Sequence, residues 1–304
     1  FDLERLEPLG IAEWLAGPPG WAPADRVRAA AIFGRSARLR AAIDPSRSLE
    51  WNLCTLLLAP DAPFGSTALD RVRAGVQRPE RYLRVVEALA RGLVEWGEIG
   101  AFVGDLSSSG QLGPYLSTLE DLGIVCVERS LDAGSRTRRR RYRLTDPHIG
   151  FWFSCVLPAW SRLGVIDAGD LWREEVGPRL APHLERTLPV IVREWLMGPG
   201  GAAVFGARAR EVGGLWGEGY DLDLAGTLTN GAIIYGWTRW ASGSFDPSTL
   251  EASAGQLRRT RYGFARESRI RLLVQRDPPE HALARLDARD PEVRVLSVND
   301  LVGR

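Results

Sequence analysis

Residues 112–128 read LGPYLSTLEDLGIVCVE, and residues 140–144 read RRYRL. Leu112, Tyr115, Leu116, Leu119 and Leu122 recur at helical spacing, which gives one apolar helix face. Pro114 fits only in the first turn of that helix, where its missing N–H costs little. Gly123 suits the position just past the last turn. Ile124 to Glu128 then reads as a strand, Asp132-Ala133-Gly134 as a turn, and Arg140 to Leu144 as the returning strand. Upstream, Tyr82, Val85, Val86, Leu89 and Ala90 form another apolar helix face, ended by Gly92. Ile99, Phe102 and Val103 mark a short helix between the two. Ser107, Ser108 and Ser109 offer capping oxygens ahead of the third helix. Three helices and a hairpin predict a winged helix over residues 77–147.

That hairpin is the most charged place in the chain. From Ile124 to His148 seven arginines face only Glu128, Asp132 and Asp146. Arg136, Arg138, Arg139, Arg140, Arg141 and Arg143 belong to the wing, and guanidinium forks match phosphate oxygens bidentately. Ser108, Ser109, Gln111, Ser117 and Thr118 are the polar positions expected to hydrogen-bond phosphates or base edges. Double-stranded DNA is the expected partner. A solvated charge run or a protein-binding wing is the plainer alternative, and Glu120 and Asp121 count against deep insertion into a groove.

Residues 1–76 read as a broken helical segment, with Leu3, Leu6 and Leu9, then Val27, Ala30 and Ala31, then Leu53, Leu56 and Leu57 on apolar faces. Pro60, Pro63 and Gly65 mark a loop. Residues 148–304 predict a mixed α/β domain. A helical stretch from Asp170 to Leu196 is expected to break at Pro178, Pro182 and Pro189. Strands are expected over Ala202–Arg208, Tyr220–Gly226, Ala232–Thr238, Ile270–Gln275 and Val293–Val298, with helices over Thr249–Tyr262 and His281–Leu286. The fold class is therefore mixed α+β: a helical N-terminal segment, a winged helix and a C-terminal α/β domain.

Composition excludes whole classes of chemistry. All 39 basic residues are arginine, so a P-loop lysine, a Schiff-base lysine and a kinase strand lysine are absent. Net charge is +1, so any attraction for an anionic partner must be local. Cys54, Cys126 and Cys155 lack zinc or disulfide spacing and read as free thiols in a reducing, cytoplasmic setting. His148, His183 and His281 are isolated and read as structural. No apolar run approaches the roughly 20 residues needed to span a membrane. Met197 is the only methionine, so the chain is expected to start inside a longer gene product or after trimming.

Tyr142-Arg143-Leu144-Thr145-Asp146-Pro147-His148-Ile149-Gly150-Phe151-Trp152-Phe153 resembles the YRLxDPFLRFWF signature of archaeal-type AAA+ ATPases, which are also common in bacteria. Ala31–Arg35, Ser117–Val125, Glu185–Leu196 and Val212–Trp216 are similar in order and spacing to further segments of that family. The resemblance implies a remnant of the ATPase lid over 1–76, a winged helix, and a restriction-endonuclease-like domain over 148–304. The nucleotide-binding core would precede residue 1 or work as a separate ATPase partner.

A nuclease of that type holds Mg²⁺ on two or three carboxylates and uses a nearby lysine. Asp221 and Asp223 match the family's EIDLVA strand, and Glu185 would be a third acid. Where the family has GECKW this chain reads Gly236-Trp237-Thr238-Arg239-Trp240, so Trp237 replaces a metal ligand and Arg239 the lysine. Loss of one electrostatic group alone costs about 10²–10³ in rate. The resemblance therefore implies a degenerate nuclease: a non-catalytic DNA-binding protein without a cofactor, its last domain adding contact or homodimerisation. Two alternatives stay open. One is an active Mg²⁺-dependent endonuclease rearranged around Glu185, Asp221, Asp223 and Arg239, with Asp221 and Asp223 on the metal. The other is a protein-interaction module of a split ATPase or a defence system.

Overall fold

The computed structural model describes residues 10–18, 20–104, 111–133, 140–241, 245, 247–266, 268–278, 290 and 292–302. Leu3, Leu6, Leu9, Ser107, Ser108, Ser109, Arg136, Arg138, Arg139 and the helix expected over His281–Leu286 lie outside the described residues.

The N-terminal part is helical, as its apolar spacing predicts. After a 3₁₀ turn at Ile11–Ala16 comes α1 (Pro23–Phe33), which starts on a proline. Ser36 and Ser48 accept amide bonds at the starts of α2 (Ala37–Ala42) and α3 (Leu49–Leu53). α3 runs on into a π-helical turn, Cys54–Leu58, and α4 (Thr67–Ala74) follows the expected loop.

The next stretch forms α5 (Glu80–Ala90), α6 (Trp96–Val103), α7 (Leu112–Asp121), β1 (Val125–Glu128) and β2 (Arg141–Leu144). Val85, Val86 and Leu89 are buried on α5, and Leu112, Leu116 and Leu119 on α7. Gly123 takes a left-handed φ of 65° after α7, a conformation that costs glycine little. The two strands are antiparallel, with Val125 opposite Leu144 and Glu128 opposite Arg141. The Tyr142 amide donates to the Val94 carbonyl at 2.9 Å, so the α5–α6 linker lines the hairpin's other edge.

α8 (Pro147–Phe151) leads into π-helical and 3₁₀ turns that reach Arg162. α9 (Ala168–Leu171), a π turn, a 3₁₀ turn and α10 (Leu180–Met197) then form one helical run. The prolines do not break it as expected. Pro178 lies in the 3₁₀ turn, Pro182 in the first turn of α10, and Pro189 inside α10. Pro189 removes one helix bond, but buried Leu188, Ile191 and Val192 anchor the helix on the core around it.

Ala202–Arg208 is not a strand. Pro199 starts α11 (Pro199–Phe205) and Gly206, left-handed at φ 62°, ends it. β3 (Ala209–Gly217), β4 (Tyr220–Leu228) and β5 (Ile233–Arg239) follow, then α12 (Pro247–Leu257), β6 (Arg269–Gln275), β7 (Val293–Ser297) and α13 (Val298–Val302). α12 stops short of Tyr262, and beyond its end the Thr260 hydroxyl donates to Asp132 at 3.1 Å. The sheet order is β3-β4-β5-β6-β7, antiparallel through β5 and parallel beyond it.

One apolar core runs from Ile11 to Leu301. α1 packs on α8, α10 and α13, so this core crosses the boundaries expected near residues 76 and 147. Leu224, Ile234, Leu272 and Val274 join it from the sheet face covered by α10. The other face carries smaller clusters around Tyr235 and around Phe245. Among the described residues no helix is long and apolar enough to cross a membrane.

Candidate nucleic-acid interface

The segment carrying the family resemblance builds a structural junction. Asp146 is buried ahead of α8, and its Oδ1 accepts the amides of His148 at 3.0 Å and Arg35 at 3.1 Å. Arg71 reaches its Oδ2 at 3.3 Å. Gly34 makes this approach possible: at φ 58° a Cβ would fall 1.9 Å from Asp146 Oδ1. Arg35 also donates to the Thr145 carbonyl and pairs with Glu194 of α10, whose other oxygen accepts the Ile11 amide at 2.7 Å. These bonds tie the N-terminal helices to α8 and α10.

The three carboxylates expected to hold metal line one cavity, and each is already engaged by the protein. Glu185 accepts the amides of Trp240 at 2.8 Å and Ala241 at 2.6 Å. Asp223 accepts the Thr238 amide at 2.7 Å and hydroxyl at 3.1 Å. Burial pushes the Asp223 carboxyl above its usual range, against the pull of those two bonds. Asp221 is gripped bidentately by Arg141, at 2.8 and 2.7 Å. Glu185 and Asp223 thus satisfy main-chain N–H groups where β5 ends, the segment that carries Glu-x-Lys in the resembled nucleases.

Trp237 and Arg239 point away from these acids. Side chains alternate along a strand, so positions 237 and 239 share one face and Thr238 the other. Trp237 packs with the Phe245 and Tyr235 clusters, and Arg239 stacks over Phe245 at 4.9 Å. Among the described residues no three His, Cys, Asp or Glu side chains converge to hold a metal ion. The residues present do not fit the Mg²⁺ site that the resemblance implies.

The hairpin's arginines divide. Arg141 stacks over Trp216 at 4.6 Å while it holds Asp221. Arg143 donates to Glu128 at 3.2 Å, and Arg193 of α10 joins the same carboxylate at 2.8 Å. Arg193 also donates to the Asp223 carbonyl at 2.8 Å, and burial pulls its guanidinium below the ordinary value. Arg141 and Arg143, expected on DNA, therefore face carboxylates of the protein itself. Arg140 is exposed and makes no ion pair among the described residues. Gln111, just before α7, and Ser117 on it are exposed, whereas the Thr118 hydroxyl donates back to the Pro114 carbonyl at 2.9 Å.

Sequence reading missed Arg129, Arg258, Arg259 and Arg261. All are exposed and without an ion pair among the described residues. Arg259 and Arg261 border a depression with Ser130, Asp132, Ala133 and Glu218, at the turn that leaves β1. Arg129 and Arg140 flank the last paired residues, Glu128 and Arg141. Arg129 falls inside the counted charge run but was not singled out, whereas Arg259 and Arg261 had no local signal, since the α12–β6 connection brings them to the hairpin from far along the chain.

The remaining reactive groups are structural. His183 Nε2–H donates to the Ala31 carbonyl at 2.9 Å, and burial draws its pKa down to about 4. His148 meets the Ile32 carbonyl at 2.8 Å and is also lowered by burial. Burial pushes the Cys54 and Cys155 thiols up to about 11 and raises Cys126, which leaves them protonated and weakly nucleophilic. His281 lies outside the described residues. Trp195, Trp216 and Trp240 are buried. Set against models of known protein families, against curated proteins and against solved structures, the chain matches none.

Proposed function

We propose that this chain is a non-catalytic, double-stranded-DNA-binding protein. Residues 77–147 act as a winged helix, and the sheet behind it is a nuclease-like fold that has lost its metal site. The observation that carries this reading is the set Arg129, Arg140, Arg259 and Arg261: exposed, unpaired among the described residues, and placed about one end of the β1–β2 hairpin. Guanidinium groups left without carboxylates are free to take phosphate oxygens. Asp132 and Glu218 border the same depression, and their charges count against the set; the Asp132 oxygens accept from Ser130, Thr260 and Tyr220, and neither acid is ion-paired to any of the four arginines among the described residues. The absence of catalysis rests on Glu185, Asp221 and Asp223 all being engaged by the protein.

Fluorescence anisotropy with a labelled duplex tests the binding. Four phosphate contacts give a log–log salt slope of about −3.6. No binding at low salt overturns the proposal. Supercoiled plasmid incubated with Mg²⁺ or Mn²⁺ should stay intact; cleavage that Asp223→Ala abolishes would restore the nuclease reading.

A further inference from the structure

Behind the hairpin lies an open-mouthed cavity of about 520 Å³, lined by α5, β2, α10 and the start of β4. That volume is in the range of small-molecule sites, roughly 300–1,000 Å³. Leu89, Ala90, Val94, Leu144, Val190 and Leu222 give it apolar walls. Its charged lining is nearly closed on itself. Arg141 is taken by Asp221, Arg143 and Arg193 by Glu128, and Glu185 and Asp223 by main-chain amides.

Arg186 is the exception. It lines the same cavity and has no hydrogen bond or ion pair among the described residues. Its stem lies across Gly92, whose φ is 91°, and a Cβ there would come 2.8 Å from Arg186 Cδ. A glycine at that point gives the arginine its room. Burial also weighs against its charge. An unpaired, partly desolvated guanidinium beside an apolar wall is a costly arrangement that an anion relieves.

We propose that this cavity binds a small organic anion, an apolar body bearing one carboxylate, phosphate or sulfonate, with Arg186 as its counter-charge. The site is separate from the proposed DNA surface and is read without DNA.

The test uses two fluorescent probes that share an aromatic body, anilinonaphthalene sulfonate and neutral N-phenylnaphthylamine. The sulfonate should bind the full chain saturably at one site. Arg186→Met, which keeps the stem, should weaken it at least about tenfold, while Arg186→Lys restores most of the affinity and the neutral probe is unmoved. Val190→Trp, which fills the cavity, should exclude both probes. On the unaltered protein, naphthalene carboxylate should displace the sulfonate and naphthalene methanol should not, a comparison that needs no variant to fold. Non-saturable binding, equal affinity in a folded Arg186→Met protein, or displacement by both naphthalenes alike overturns the assignment.

Discussion

The arginines on the two sides of one hairpin register position have opposite fates. Inside the Glu128–Arg141 pair, Arg141 and Arg143 are bound to Asp221 and Glu128, and Arg193 closes the same network from α10. Beyond it, Arg129 and Arg140 are exposed and meet no carboxylate among the described residues, beside Arg259 and Arg261. A charge run in sequence is therefore not one surface. The fold spends the inner cations on joining the hairpin to the sheet and leaves the outer ones to solvent or to a ligand. Counting arginines overstates the free charge, and only register tells the two sets apart.

The committed set should give the largest effect when broken. Asp146→Ala strands the Arg35 and His148 amides and the Arg71 guanidinium, in a junction where the carboxylate is buried. Arg71 is half exposed and returns to water, but each buried amide left without its acceptor costs about 1–3 kcal/mol, about 4 kcal/mol for the two. Urea denaturation should show that loss, with Asp146→Asn intermediate. A loss under about 1 kcal/mol would put the junction on a par with surface pairs and erase half of the contrast.

The next effect comes from acid. His183 belongs to the committed groups as a neutral ring, held at the Ala31 carbonyl with a pKa drawn down to about 4. The unfolded chain protonates this residue near its ordinary value of about 6.5, so as pH falls from there the unfolded state gains protons first. Stability is full above that point, declines down to the folded value and then levels off. At about 1.36 kcal/mol per unit the fall is about 3 kcal/mol. His183→Gln should reduce the slope of the urea midpoint over this window, with buried His148 keeping a share of it; an unchanged slope assigns the acid sensitivity elsewhere.

The outer set comes third. Changing Arg129, Arg140, Arg259 and Arg261 together to Ala should weaken duplex binding about 100-fold, equivalent to about 2.7 kcal/mol. The melting temperature should hardly move, because none of the four is in an ion pair among the described residues. Full affinity in that variant would shift the DNA contact to α7 or remove it.

How much of this was legible depended on distance along the chain. The periods of α5, α7, β1 and β2 were plain, because local apolar spacing decides them. α11 was misread as a strand because Ala202 to Phe205 has no period, and Pro199 and Gly206 settle it at the ends. Pro189 reads as a breaker until its buried neighbours are known. At the site, Asp221 and Asp223 stood out as a spaced pair, yet their partners lie at Arg141 and Thr238, joined only by the fold. Arg193 and Glu194 lay in a segment already noted for its family resemblance, but nothing local pointed to Glu128 or Arg35 as their partners.

Asp221→Asn gives the smallest effect and probes the dividing line itself. The Asp221 carboxylate is 60% exposed, so its pair with Arg141 contributes less than about 1 kcal/mol. Arg141 keeps its stack on Trp216 in the variant, so the hairpin stays in place. Its Nε is buried without a hydrogen-bond partner, and Asp221 supplies the two hydrogen bonds that its other nitrogens make. With the charge gone, Arg141 keeps only the longer pair with Glu95, at 3.9 Å, and can join the outer set, where one more phosphate contact steepens the salt slope by about 0.9. Duplex affinity should rise accordingly in low salt. If affinity and slope both stay as they were, stacking alone commits Arg141, and the boundary between the two sets is drawn by packing. If stability drops by about 3 kcal/mol instead, the pair belongs with the buried charges, and the inner network reaches the surface at Asp221.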